Sequence, residues 1–135
     1  MPQRRLRLGM VGGGQGAFIG AVHRIAARLD DRFELVAGAL SSGPQRAQAS
    51  AAEAGIARSY ADWGEMAHAE AARDDGIDAV AIVTPNHLHA PVATAFLEAG
   101  IHVICDKPLA ISLAEGEALA KLARVKNKLF ALTHT

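Results

Sequence analysis

Apolar and polar positions follow two rhythms along the chain. Short runs that are apolar at nearly every position give way to longer stretches whose apolar residues recur at helical spacing. Leu6, Leu8, Met10 and Val11 predict a first strand over about 5–11. Phe18, Val22, Ile25, Ala26 and Leu29 then share one face of a helix, which Asp30-Asp31-Arg32 ends. A second strand follows over 33–40. The next helix is entered at Pro44, a residue suited to a first helical turn. It carries Ala47, Ala51 and Ala54 on a small-residue face and closes at Gly55. A short strand is expected over 57–60. Asp62 and Glu65 are spaced as an N-cap and its reciprocal acid, opening a helix to about Ala72. Asp74-Asp75-Gly76 forms a turn. Ala79–Val83 is apolar throughout, as in a parallel strand covered on both faces. A helix with Val92, Ala95, Phe96 and Ala99 on one face ends at Gly100, and a strand follows over 101–105. Ser112 and Glu115 repeat the capping pattern for a helix to about Val125, and 129–132 predicts a sixth strand.

Strands alternating with helices predict an α/β protein, with a doubly wound, mostly parallel sheet of about six strands and helices on both faces. At 135 residues the chain forms one domain, with no internal repeat or linker. Half of it is hydrophobic and only 4% aromatic, which suits helices packed closely on a sheet. Fourteen basic and fourteen acidic residues cancel, so nucleic acid is not an expected partner. Arg4, Arg5 and Arg7 read as a solvated basic terminus. Cys105, the one cysteine, excludes an internal disulfide and reads as an inert buried thiol. No apolar stretch spans a bilayer and no signal-peptide core is present, so a cytoplasmic protein with no membrane partner is expected.

In such a sheet, ligands lie beyond the carboxyl ends of the strands. The distinctive stretches fall at that edge. They are the glycine cluster after the first strand, Ser41-Ser42 after the second, Thr84-Pro85-Asn86 after the fourth and Asp106-Lys107-Pro108 after the fifth. Loops at the other edge hold ordinary turn residues. The cluster Gly12-Gly13-Gly14-Gln15-Gly16-Ala17 joins a strand to a helix, and Gly12-x-Gly14-x-x-Ala17 fits the fingerprint of a dinucleotide-binding turn. Glycine lets the backbone come close to a phosphate, and the helix behind it presents unpaired N–H groups.

Taken together, Gly12-x-Gly14-x-x-Ala17, Thr84-Pro85-Asn86-x-x-His89 and Asp106-Lys107-Pro108 resemble the N-terminal half of the Gfo/Idh/MocA oxidoreductases. The resemblance covers essentially the whole chain. It implies a Rossmann domain over residues 1–135 that binds NAD or NADP. It also implies hydride transfer between nicotinamide and a sugar, polyol or related hydroxyl or carbonyl compound. Carried over, Gly12, Gly14, Gln15, Gly16 and Ala17 form the pyrophosphate turn. Thr84, Pro85 and Asn86 lie along the ribose and nicotinamide with His89 close by. Lys107, as the catalytic residue, holds the reacting hydroxyl. Asp106 stands where the family usually has Glu. The family continues into a substrate domain that supplies a catalytic histidine and usually an oligomer interface. None of it is in this chain, so the portion in hand is expected to bind cofactor and to turn over little alone.

An acid that would bind the NAD ribose is missing at 40–42. Ser41 and Ser42 leave room for a 2′-phosphate that Arg46 could grip, which leans the expectation slightly towards NADP. No metal is expected, because His87 and His89 lack accompanying ligands. Trp63 reads as packing, and His23, His68 and His102 as structural or solvated. Thr133 and His134 reach the functional edge after the last strand. A dinucleotide-binding module without catalysis, acting as a sensor or partner protein, is the alternative reading.

Overall fold

The computed structural model describes residues 4–14 and 16–134. Its sheet is six-stranded, with strands β1 (Leu6–Gly12), β2 (Phe33–Ala39), β3 (Arg58–Ser59), β4 (Ala79–Val83), β5 (His102–Cys105) and β6 (Phe130–Leu132). The order is β3-β2-β1-β4-β5-β6, and the neighbouring pairs are parallel. The helices are α1 (Phe18–Leu29), α2 (Pro44–Ala54), α3 (Trp63–Ala71), α4 (His89–Glu98, after a single tight turn at Asn86–Leu88) and α5 (Leu113–Lys126). The doubly wound α/β architecture is therefore as expected, with element ends shifted by one or two residues.

Alternate side chains of the strands feed two cores. Val11, Val80, Ile82, Val103 and Cys105 meet Met66 of α3, Phe96 of α4 and Leu119 of α5 on one face. On the other face, Leu8, Met10, Ala81 and Val83 meet Ala51 of α2, with Ile19 and Ala27 of α1. β4 is buried at every position, as a strand covered from both sides must be. The N-cap half of each spaced pair forms, whereas neither acid returns to the amide of its cap residue. Asp62 accepts from the Glu65 amide at 2.9 Å and Ser112 from the Glu115 amide at 3.2 Å. The Glu115 carboxylate turns to the Ile111 amide at 3.2 Å. Gly55 ends α2 in the left-handed conformation.

Two expectations are corrected. The apolar stripe of α1 does not face the sheet: Phe18 is 82% exposed, Ile25 62% and Leu29 78%. Gly20, the buried residue of α1, seats the helix against the sheet, with Ile19, His23 and Ala27 half-buried beside it. Close approach of the helix at Gly20 sets its rotation, and the stripe is turned outward. The basic terminus is not merely solvated, because Arg4 donates to both oxygens of Asp78 at 2.8 and 2.9 Å.

Candidate functional site

β1 leads into the glycine turn at the carboxyl edge. Gly12 has φ +82°, and a Cβ there would stand 2.9 Å from the Val83 carbonyl oxygen. Only glycine meets both conditions without strain. A Cβ on Gly14 would run into the Ser41 hydroxyl and the Leu40 carbonyl, so this glycine lets the turn close on the end of β2. The Ala17 amide donates to the Gly14 carbonyl at 3.0 Å. Helix α1 then starts with no side-chain cap, leaving the N–H groups of its first turn for an anion. The turn is thus a cradle bounded by backbone that a side chain would fill, and a pyrophosphate fits its chemistry. Gln15 lies outside the described residues.

The close packing of helix on turn falls one turn later than the fingerprint register suggests. A Cβ on Gly20 would lie 2.5 Å from the Cα of Gly13. Gly20, rather than Ala17, is where the helix needs a glycine, because it is Gly20 that meets the Gly13 backbone. Arg24, one turn on, donates to the Gly13 carbonyl at 2.8 Å and pins the turn from behind. Reading Gly20 and Arg24 as an i, i+4 pair facing the turn would have found both.

From the turn, a cleft of about 440 Å³ opens towards α2, and another of about 640 Å³ runs along the strand ends. Gly12, Ser41, Ser42, Trp63, Thr84 and Pro85 line the larger. Trp63 packs on the core as expected, and its place in this lining is additional. Arg46 is exposed in the first turn of α2, outside that lining, and Asn86 is exposed beyond Pro85.

The β5 end is held more tightly. The Asp106 amide donates to the Ile82 carbonyl at 3.0 Å, and its buried carboxylate accepts from the Thr133 hydroxyl at 3.1 Å. His23 Nε2 stands 3.9 Å from the same carboxylate. Thr133 therefore belongs to the support of this loop, and His23 stands near it. The shorter Asp106 is braced from the end of β6. Lys107 is exposed, and the Lys107–Pro108 peptide is cis. His89 opens α4 and is 1% exposed. Its Nδ1 lies 2.6 Å from the Pro108 carbonyl oxygen and its Nε2 3.1 Å from that of Thr84. Burial, reinforced by the Asp106 charge, pushes the Cys105 thiol up to about 12, so it is inert at neutral pH. Among the described residues no group of three His, Cys, Asp or Glu could hold a metal ion, and no helix is long and apolar enough to cross a membrane.

The chain spans about a third of the length of the curated relatives it matches. Levoglucosan dehydrogenase of Pseudarthrobacter phenanthrenivorans is 36% identical over 92% of this chain and 32% of its own length. An oxidoreductase from Sinorhizobium meliloti superposes with a TM-score of 0.91 at 61% identity, over 98% of this chain and 37% of that one. An inositol dehydrogenase homologue from Azotobacter vinelandii, solved with NADH and myo-inositol, gives 0.93 at 42% identity, over 96% and 35%. The Gfo/Idh/MocA family model, described as an oxidoreductase family with an NAD-binding Rossmann fold, matches residues 6–134. A six-stranded doubly wound sheet, a glycine cradle at its carboxyl edge and this match lead to one conclusion: the chain belongs to the Gfo/Idh/MocA oxidoreductase family.

Proposed function

We propose that this domain holds a nicotinamide dinucleotide across its carboxyl edge, as the cofactor-binding part of a dehydrogenase acting on a sugar, polyol or related hydroxyl compound. The observation that carries the reading is the glycine cradle opening into the cleft that runs from Ser41 to Thr84 and Pro85. The strand order changes direction between β1 and β4, and a dinucleotide straddles that point. The pyrophosphate would rest on Gly12, Gly14, Gly16 and Ala17, with the adenosine half towards Ser41 and Ser42. The nicotinamide half would lie towards Thr84, Pro85 and Asn86.

The nicotinamide supplies the hydride acceptor or donor. Lys107, exposed in the loop that follows β5, would donate a hydrogen bond to the reacting oxygen. That oxygen gains negative charge as hydride leaves the adjacent carbon, and an oriented cation stabilises it. Asp106, held by Thr133, would orient Lys107 rather than touch substrate. Relatives run about three times as long, so the substrate wall and the acid–base group would lie outside these residues.

The reading leans to NADP. Ser42 is exposed, no acid follows β2, and Arg46 on the first turn of α2 could pair with a 2′-phosphate. Titration of the chain with NADH and NADPH, followed by nicotinamide fluorescence, tests both levels. Both are expected to bind, NADPH more tightly. NADH binding clearly the tighter would sink the NADP preference, and binding of neither would sink the dinucleotide reading.

A further inference from the structure

We propose that His89 is a positioning residue for the nicotinamide half of the site. Its ring is wedged between the Thr84 and Pro108 carbonyls: a neutral imidazole has one N–H to donate, the shorter contact gives it to Pro108 through Nδ1, and the ring sets the distance between the loops that follow β4 and β5. The inference rests on the dinucleotide reading and deepens it. His89 is sealed from solvent, and each ring nitrogen already faces a main-chain carbonyl. The nitrogens therefore have no direction left for a ligand. The partners lie five and nineteen residues away, one just beyond β4 and the other three residues beyond β5. Parallel strands are hydrogen-bonded only within the sheet, and beyond its edge their loops separate unless something joins them. His89 is that join.

Lys107 sits between two anchored neighbours. Asp106 is held by Ile82 and Thr133 on one side, and the Pro108 carbonyl is held by His89 on the other. The lysine side chain stays exposed while its backbone is located from both sides. Losing the His89 join would loosen the Thr84–Pro85 wall and the Lys107 loop. The glycine cradle and the β2 end would remain as they are.

The test compares NADH with ADP-ribose, which keeps the pyrophosphate and both riboses but lacks the nicotinamide. His89→Phe fills similar space without a donor. It is expected to weaken NADH binding about tenfold and to leave ADP-ribose within about twofold of wild type. His89→Asn keeps an N–H near the Nδ1 position, facing Pro108, and is expected to recover most of that loss. Should the phenylalanine variant not fold, His89→Gln carries the same expectation, since its donor sits near Nε2 and leaves Pro108 unheld. Retained ADP-ribose affinity certifies the fold in each case. Equal weakening of both ligands, or NADH affinity unchanged in a folded variant, overturns the proposal. A wild-type chain that binds neither ligand overturns the dinucleotide reading itself, an outcome separate from any effect of His89.

Discussion

At the amino edge of the sheet, side chains of opposite charge meet closely. Arg4 meets Asp78 at 2.8 and 2.9 Å, and Glu70, which accepts from the Ile77 amide just before β4, draws in Arg58 of β3 at 2.8 and 2.7 Å and the hydroxyl of Tyr60, which follows β3, at 2.6 Å. At the carboxyl edge the loops are joined mainly through main-chain carbonyls: Arg24 to Gly13, His89 to Pro108 and Thr84. Lys107 and Arg46 are exposed there, and neither is paired with a carboxylate among the described residues. One edge uses its charges for the fold, and the other keeps cations available. Carbonyl partners fix loop positions without neutralising a cation that a phosphate or a developing oxyanion would use.

The largest effect should come from opening the amino edge. The Glu70 side chain is fully buried and accepts from Arg58, Tyr60 and the Ile77 amide. Glu70→Ala leaves Arg58 without its main partner. Breaking a buried pair in this way costs about 3–5 kcal/mol, read as a lower urea midpoint. Under conditions where the variant is folded, NADH affinity should stay within about twofold of wild type. A large loss of affinity in the folded protein would show that the two edges are not separate devices.

Gly20→Ala makes the converse test at the carboxyl edge. Its Cβ would meet Gly13 backbone, which cannot move aside like a flexible side chain. Overpacking of this kind costs about 1–3 kcal/mol. It would also displace the cradle, so NADH binding should weaken by about tenfold or more. The midpoint and the dissociation constant together check this. Unchanged binding would mean that the turn does not hold the phosphates.

A graded effect should follow from pH. Burial works to raise the Glu70 pKa, but the bonds from Arg58 and Tyr60 outweigh it and leave the pKa below its ordinary value. The Arg4 bond lowers that of Asp78. Folded values below the unfolded ones mean that this stability is complete above the ordinary carboxylate range, about pH 4. It is lost as pH falls through the depressed values. Tyr60 has the opposite sign. Burial first, then Glu70, pushes its phenol up to about 12, so its contribution is complete below about pH 10 and lost as pH rises towards 12. Urea midpoints measured across pH should show a plateau with both flanks, and Glu70→Gln should flatten the acid one. Unaltered flanks in that variant would remove Glu70 from the account.

How much of this was legible in the sequence depended on whether a feature was local. Capping residues such as Asp62 and the all-apolar run 79–83 state their structure within a few residues, and the parallel, doubly wound sheet follows from alternation. The outward turn of Phe18, Ile25 and Leu29 was not legible, because helix rotation is set by a contact between Gly20 and Gly13 that periodicity does not encode. For the same reason the fingerprint, which ends at Ala17, did not point to the close helix contact at Gly20. The positions of Thr84, Pro85 and Lys107 at one edge were legible from order alone. That His89 touches two carbonyls was not, since its partners are main-chain atoms that any residue would supply.

The smallest effect on the fold, and the clearest contrast with Glu70, is expected at Lys107. The side chain is exposed and makes no ion pair among the described residues, so Lys107→Ala removes no packed or paired group. Stability should change by no more than about 0.5 kcal/mol. The cradle and the strand-end cleft do not contain the ammonium, so NADH affinity should also stay within about threefold of wild type. Both should hold even though the proposed chemistry needs this lysine, because its interaction strengthens only as charge builds on the reacting oxygen. Thermal unfolding and an NADH titration of the same preparation check the two expectations. A marked loss of stability would show that Lys107 is a fastening of the carboxyl edge, and the division between a charge-paired edge and one that keeps its cations available would then fail at the residue where it matters most.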